Sequence, residues 1–272
     1  MYGLRHQKTK RVLAQLLIHI DGREGQSPLR APFGSLELYE NIEQKKVNEF
    51  LAIVQEDLLH QGVRHIQIKN YPKAYDEMTT NCLQKGLATL NFTCTEEVSS
   101  CISVDQVMFE NKIAIAQRQK LRKCDKQFVF SRCKSNELKS IYHFIKTCRE
   151  EKGQALSMTF AQIQKTASAF PKNFLLFKVS SEQEIAAAAI VIKVSDKILY
   201  TFYYSHNGKF NKISPVVFLI SGIYKYAQHH HFSLVDLGTS MIKGEINKPL
   251  LHFKKSIGGQ SSSKFVFEKS IL

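Results

Sequence analysis

Apolar and polar positions fall into short runs of alternating or helical period, and the second half of the chain reads most clearly. Residues 127–133 alternate as a half-buried strand does, and 135–149 carry apolar residues at helical spacing behind Ser135, a residue suited to an N-cap. A second helix is predicted over 159–170, stopped by Pro171. Strands follow at 173–179, 185–193 and 197–206, separated by Ser180-Ser181-Glu182 and by Ser195-Asp196, so an antiparallel meander is expected. The polar loop Asn207-Gly208-Lys209 leads to Ser214-Pro215, an N-cap with proline at the first helical position, and to a helix ending near His229. A strand over 233–237, a short helix over 247–257 and a strand over 264–267 complete the order.

The first half repeats the end of that order. A hairpin-like region over 4–20 and a loop precede a helix (42–60), a strand (63–68), a helix (74–87) and a strand (91–104). Both halves therefore read strands, helix, strand, helix, strand, which points to two copies of one α/β unit. Between them, 107–123 reads as a basic helix with apolar Phe109, Ile113, Ala116 and Leu121, a bridge between lobes. The expected division is 1–106, a linking helix at 107–125, and 126–272, in keeping with a length of 272 residues that one core rarely serves.

Composition narrows the classes. With 43% hydrophobic and 23% charged residues the chain must fold around a core, and its longest unbroken apolar run, 185–192, is far too short for a membrane-crossing helix. Arg5, Lys8, Lys10 and Arg11 before the apolar stretch 12–20 imitate an export signal, but Asp21-Gly22-Arg23-Glu24 follows where small residues would be cleaved. That stretch reads as a first strand. The six cysteines never take C-x-x-C spacing, so free thiols of a cytoplasmic protein are expected, with neither a zinc site nor disulfides. Charge is uneven: 15 basic and 14 acidic residues up to position 120, against 23 and 10 beyond it, a net of +13. Such a field suits a polyanionic partner: nucleic acid, a cofactor with several phosphates, or an acidic membrane surface.

Candidate chemistry concentrates in the same half. Lys209 and Lys212 approach the start of the Ser214-Pro215 helix, where unpaired backbone N–H groups attract anions. Tyr203 and Tyr204 point to opposite faces of one strand, so one of them can line a cleft. His229-His230-His231 lie about 100° apart on a helix and do not share a metal ion easily. A Ser-His-Asp hydrolase is unsupported, because no G-x-S-x-G elbow occurs.

The order of strands, loop and helix, with Leu234-Val235-Asp236-Leu237-Gly238-Thr239-Ser240, Asn247, Leu250-Leu251, Phe253-Lys254 and Ile257-Gly258-Gly259, resembles the Fem-type (FemAB-like) tandem GNAT acyltransferase family of bacteria. The loop Ser27-Pro28-Leu29-Arg30-Ala31-Pro32-Phe33-Gly34 resembles one in the same proteins. The resemblance implies an α/β (α+β) fold of two GNAT-like lobes, each a mixed, mostly antiparallel sheet flanked by helices, the first lobe degenerate and partial. It implies an N-acyltransferase that moves an acyl, acetyl or aminoacyl group from acyl-CoA or aminoacyl-tRNA to an amine acceptor, a cell-wall precursor among the candidates, without a metal. On this reading Asp236, Lys254 and His206 are catalytic, with Asp236 as acid–base or amine-binding carboxylate. Ser205, Asn207, Gly208, Lys209, Lys212, Ser214 and Asn247 hold the donor. Arg30, Ser27, Phe33, Tyr204 and Ser240 hold the acceptor, in a cleft between lobes.

Two departures stand out. The stretch 206–214 has one glycine where a GNAT diphosphate loop has several, and the seventh residue after Asn247 is Lys254 where many GNAT enzymes place a proton-donating tyrosine. If the 247–257 helix packs through Leu250, Phe253 and Ile257, the Lys254 stem is covered and its ammonium faces the cleft near the Ser214 helix start; the competing expectation is a solvated lysine beside Lys255. The departures also motivate a second function: a catalytically degenerate GNAT-like domain that binds RNA or an acidic partner.

Overall fold

The computed structural model describes residues 1–182, 184–242 and 244–270. The chain begins with β1 (Tyr2–Arg5), β2 (Val12–Leu16), β3 (His19–Asp21), β4 (Glu24–Ser27), β5 (Leu36–Leu38), α1 (Gln44–His60), β6 (His65–Pro72), α2 (Glu77–Thr89) and β7 (Thr93–Ser103). It continues with α3 (Phe109–Lys112), α4 (Ile115–Asp125), β8 (Val129–Cys133), α5 (Leu138–Glu150), α6 (Phe160–Ala169), β9 (Phe174–Ser180), β10 (Ile185–Lys193) and β11 (Ile198–His206). Then come α7 (Pro215–His229), β12 (Leu234–Thr239), β13 (Met241–Ile242), β14 (Glu245–Ile246), α8 (Lys248–Ser256) and β15 (Gln260–Ser270). Two compact units result: Met1–Ser99 with Met241–Ile246 and the segment from Ser262, and Ser100–Ser240 with Asn247–Ser261. No helix among the described residues is long and apolar enough to cross a membrane.

In the first unit β1, β2 and β5 make a small antiparallel sheet, and a second sheet runs β3-β4-β6-β15-β7. Val47, Phe50, Leu51, Val54 and Leu58 form one stripe of α1 and pack with Leu83 and Leu87 of α2 and Ile66 and Ile68 of β6. The hairpin-like region expected over 4–20 is present as the antiparallel pair β1–β2, and a further short hairpin follows in which β3 turns to β4. Strand β4 reads Glu-Gly-Gln-Ser, with no apolar alternation to announce it, and is held by backbone pairing to β3 and, in parallel, to β6.

In the second unit the order is β7-β12-β11-β10-β9-β8. The expected meander is present, since β9, β10 and β11 pair antiparallel in sequence. Ala186, Ala187, Ala188 and Ala189 of β10 are all fully buried, small enough on both faces for helices to lie close. Helix α7 is apolar almost all round, as a helix inside a core must be. The expected helix over 107–123 is two helices, because Ile113 and Ala114 are extended and the Ala114 N–H bonds the Ser256 carbonyl at 2.9 Å. A Cβ on Gly222 would sit 2.2 Å from the Phe130 ring, itself stacked on Phe177. Gly222→Ala is therefore expected to cost about 1–3 kcal/mol, read as a lower urea midpoint.

Candidate active site

Strands β11 and β12 run parallel but pair only over Ile198↔Leu234, Leu199↔Val235 and Tyr200↔Asp236. Beyond that point β11 continues through His206 alongside β10, so the two parallel strands part as a fork. Two local features open it. Strand β11 carries a bulge between its Tyr200 and Tyr203 pairings with β10, which sharpens its twist. Strand β12 turns at Gly238, whose φ of +78° favours glycine, with the Gly238 N–H bonded to Asp236 Oδ1 at 2.7 Å. The Thr201 hydroxyl donates to the Asp236 carbonyl at 2.9 Å where the strands separate.

Asp236 and Lys254 are both buried at 1% exposure, which excludes the solvated lysine. The Lys254 ammonium donates to the Gly238 and Thr239 carbonyls, each at 2.8 Å, so it sits on the end of β12. Burial lowers its pKa to about 8, the charge of Asp236 and the Cys101 thiol oppose that shift, and Arg149 adds to it. The predicted apolar stripe of α8 is modified: Ile257 is buried while Leu250 and Phe253 are half-buried, and the lysine itself is the buried residue of the helix. Burial raises the Cys101 thiol, and the neighbouring charge of Asp236 adds to the shift. Burial and Asp236 also raise Tyr200.

Helix α5 and the turn after it bring two further cations to β11. Arg149 Nη2 lies 3.4 Å from the Tyr204 carbonyl and its guanidinium stands over the Tyr203 ring, and Lys152 Nζ reaches the His206 carbonyl at 3.3 Å. The two tyrosines now separate. Tyr203 bonds Ser157 Oγ at 2.5 Å and the Met158 N–H at 3.0 Å, a packing role, whereas Tyr204 lies against the α7 core with its phenol pushed up to about 12 by burial. Burial lowers the His206 imidazole, whose Nε2 is 2.7 Å from Asn211 Oδ1.

The loop expected to cradle phosphate is bonded to itself. Asn207 Oδ1 accepts the Lys209 N–H at 3.0 Å, and the N–H groups of Phe210, Asn211, Ile213 and Ser214 bond carbonyls at 207, 208, 210 and 210. Asn207 Nδ2 and Lys209 Nζ both hold Glu184, at 3.1 and 3.2 Å. Gly208 lies in the short 3-10 turn and Lys212 is exposed. Ser214 precedes α7 but does not cap it with its side chain: at φ 60°, ψ 63° it leaves the extended geometry from which a serine hydroxyl reaches the first turn. Asn247 does cap α8, accepting the Leu250 N–H at 3.1 Å, and Ser205 is buried in β11. Ser240 is fully buried, its hydroxyl without a partner among the described residues.

The other expected residues lie in the first unit. Ser27 is buried, Phe33 meets the Tyr75 ring edge-on at 5.4 Å, and Arg30 is exposed. A Cβ on Gly34 would come within 3.0 Å of the Pro28 nitrogen and 3.1 Å of Ser27 Oγ, so the loop closes tightly on its glycine. No group of three or more His, Cys, Asp or Glu among the described residues is disposed to hold a metal. Sequence reasoning passed over Cys101, Tyr200, Arg149 and Lys152. The last two stand in or just past the final turn of a predicted helix, and only the strand pairing reveals what that turn overhangs.

No protein-family model matches the sequence, and no curated protein matches it. Solved structures do match its fold. FemX superposes with a TM-score of 0.73 at 14% identity, over 98% of this chain and 87% of FemX. The C-terminal domain of a protein assigned as a lysylphosphatidylglycerol synthetase from Agrobacterium fabrum gives 0.65 at 11%, over 98% and 82%. A tandem GNAT protein from the clavulanic acid biosynthesis pathway gives 0.55 at 8%, over 97% and 81%. The fold is that of the Fem-type tandem GNAT proteins. Within this Fem-type fold, the residues that carried the resemblance, 234–240 and 247–259, are the β12 and α8 segments that bury Lys254 beside the fork.

Proposed function

We propose that this protein is an N-acyltransferase whose fork between β11 and β12 receives an acyl donor, with Lys254 as the charge that stabilises the tetrahedral oxyanion. The buried ammonium at the parting of the strands carries the reading. An ammonium has three N–H donors, and Gly238 and Thr239 take two. The third is offered to the acyl oxygen. Acyl transfer forms a C–N bond, breaks the bond from carbonyl carbon to leaving group, and moves a proton from amine to leaving group. A fixed positive charge in a water-poor site acts on the intermediate between those events. His206 serves as base: with Nε2–H donated to Asn211, its Nδ1 keeps a lone pair, and its lowered pKa keeps it neutral.

The donor that fits best is an aminoacyl-tRNA. Loop N–H groups already bonded within 207–214, and a lysine already paired with Glu184, favour a donor that needs no coenzyme A diphosphate cradle. The excess of +13 beyond position 120 suits RNA. Calorimetry and transfer assays with charged tRNA, uncharged tRNA and acetyl-CoA test this. The expected result is aminoacyl transfer from charged tRNA and no heat with acetyl-CoA. Steeply salt-dependent RNA binding that ignores the aminoacyl group, without transfer, would instead establish a degenerate RNA-binding domain.

Two substitutions sharpen the assignment. Lys209→Ala is expected to change donor affinity less than about threefold, since an exposed pair contributes little. Arg30→Ala is expected to weaken an acidic acceptor, by loss of a forked cation, at unchanged melting temperature. A lowered melting temperature with unchanged binding would make the Ser27 to Gly34 loop purely structural.

A further inference from the structure

We infer that Asp236 acts as the counter-charge and positioning residue for Lys254, with the neighbouring Cys101 thiol supporting its carboxylate, and that it exchanges no proton with substrate. The kinetic side of this inference rests on the transfer reading above. The geometry occupies the carboxylate already, since it accepts the Gly238 N–H at 2.7 Å, and the Cys101 thiol lies near enough to feel its charge. The carbonyl of the same Gly238 accepts Lys254 at 2.8 Å. One residue thus sets the left-handed turn that parts β12 from β11 and anchors the peptide on which the ammonium rests. Burial alone disfavours a charged carboxylate; the Gly238 N–H that it accepts and the ammonium anchored on the same residue are what favour its charge.

A buried lysine needs that charge. Burial alone drives an ammonium toward the neutral amine, and a neutral amine gives an oxyanion little. The titratable and charged groups that act on Lys254 are Asp236 from β12 and Cys101 from β7, which favour its protonation, and Arg149 from α5, which opposes it. Tyr200 and Tyr204 of β11 also feel Asp236. Asp236 is the carboxylate among these groups, and its charge is what opposes the effect of burial on the ammonium. Removing its charge therefore moves Lys254 further down, and any rate that needs the ammonium fails at lower pH.

The test reads the lysine directly. In protein labelled with ¹³C at lysine Cε, the Lys254 signal is assigned by its loss in Lys254→Met and followed against pH, in parallel with kcat and KM for charged tRNA. Asp236→Asn keeps an oxygen for the Gly238 N–H and removes only the charge. Its Lys254 midpoint is expected to fall by about 1–3 pH units. The alkaline limb of kcat should move with it while donor KM holds. Cys101→Ala, which deletes the thiol, should give a smaller shift in the same direction, and Cys101→Ser, which keeps a donor, should restore the midpoint. An unchanged Lys254 midpoint in Asp236→Asn overturns the inference. So does loss of an acidic limb with the alkaline limb in place, which would make Asp236 the acid–base group. If Asp236→Asn does not fold, the two Cys101 variants carry the test, and equal midpoints in both overturn it. Midpoint shifts in the variants, together with a wild-type protein that transfers nothing from any donor, would sink the transfer reading and leave the counter-charge standing.

Discussion

Lys254→Met is expected to lower transfer about 10²–10³-fold at neutral pH, the scale of losing one preorganised oxyanion donor. The variant keeps the buried stem and loses the ammonium, so a folded protein with turnover slowed by that factor is the predicted outcome. The wild-type rate should also fall as pH rises through about 8, because the ammonium is present below that value and lost above it. Stability should move the opposite way. The unfolded chain holds the lysine proton to its ordinary value near 10.5, the folded chain only to about 8, so the unfolded state binds more protons between the two and stability rises with pH across that window. The rise is about 3 kcal/mol at the order of magnitude, and Lys254→Met should abolish it. Urea midpoints at pH 7.5 and pH 10 measure it. Transfer by the variant within threefold of wild type would remove Lys254 from the site, and a wild-type alkaline limb well above pH 8 would detach the limb from this lysine.

What the sequence showed and concealed follows from which interactions set each feature. The meander over β9 to β11 and the β11–α7–β12 crossover were legible because period, turn residues and Pro215 act locally. The burial of Lys254 was not. Helical spacing placed it at the edge of an apolar stripe, but only the approach of β12 decided that two carbonyls would be there to take the charge inside. Glycine poverty in 206–214 was visible; that Asn207 and Lys209 would turn on Glu184, between strands β9 and β10, depended on pairing distant in sequence. Ser214 looked like a cap because its residue type is right, yet its left-handed backbone takes the hydroxyl away. The fork itself needs a bulge on one strand and a glycine turn on another. Neither has an apolar pattern.

Gly259→Ala is expected to damage stability and transfer together. Helix α8 ends in a Schellman motif: the Gly258 N–H bonds the Lys255 carbonyl at 3.1 Å and the Gly259 N–H bonds the Lys254 carbonyl at 2.9 Å, with Gly258 at φ +88°. A Cβ on Gly259 would stand 2.7 Å from the Lys254 carbonyl oxygen and 3.1 Å from its carbon, with Leu237 Cδ1 at 3.3 Å on the next strand. Backbone cannot swing aside as a side-chain tip can, so the last turn of α8 must move. The residue struck, at its backbone carbonyl, is Lys254, whose ammonium is held by hydrogen bonds of 2.8 Å at the far end of its side chain. A loss of about 1–3 kcal/mol is expected from the overpacking. Transfer should fall at least tenfold under conditions where the variant remains folded, since the charge and the fork lose their register. Gly222→Ala supplies the control, being struck by the Phe130 ring rather than by α8. At matched loss of stability it should reduce transfer only in proportion to the unfolded fraction. Equal specific activities of the two variants, compared per folded molecule, would mean that the end of α8 does not set the position of Lys254.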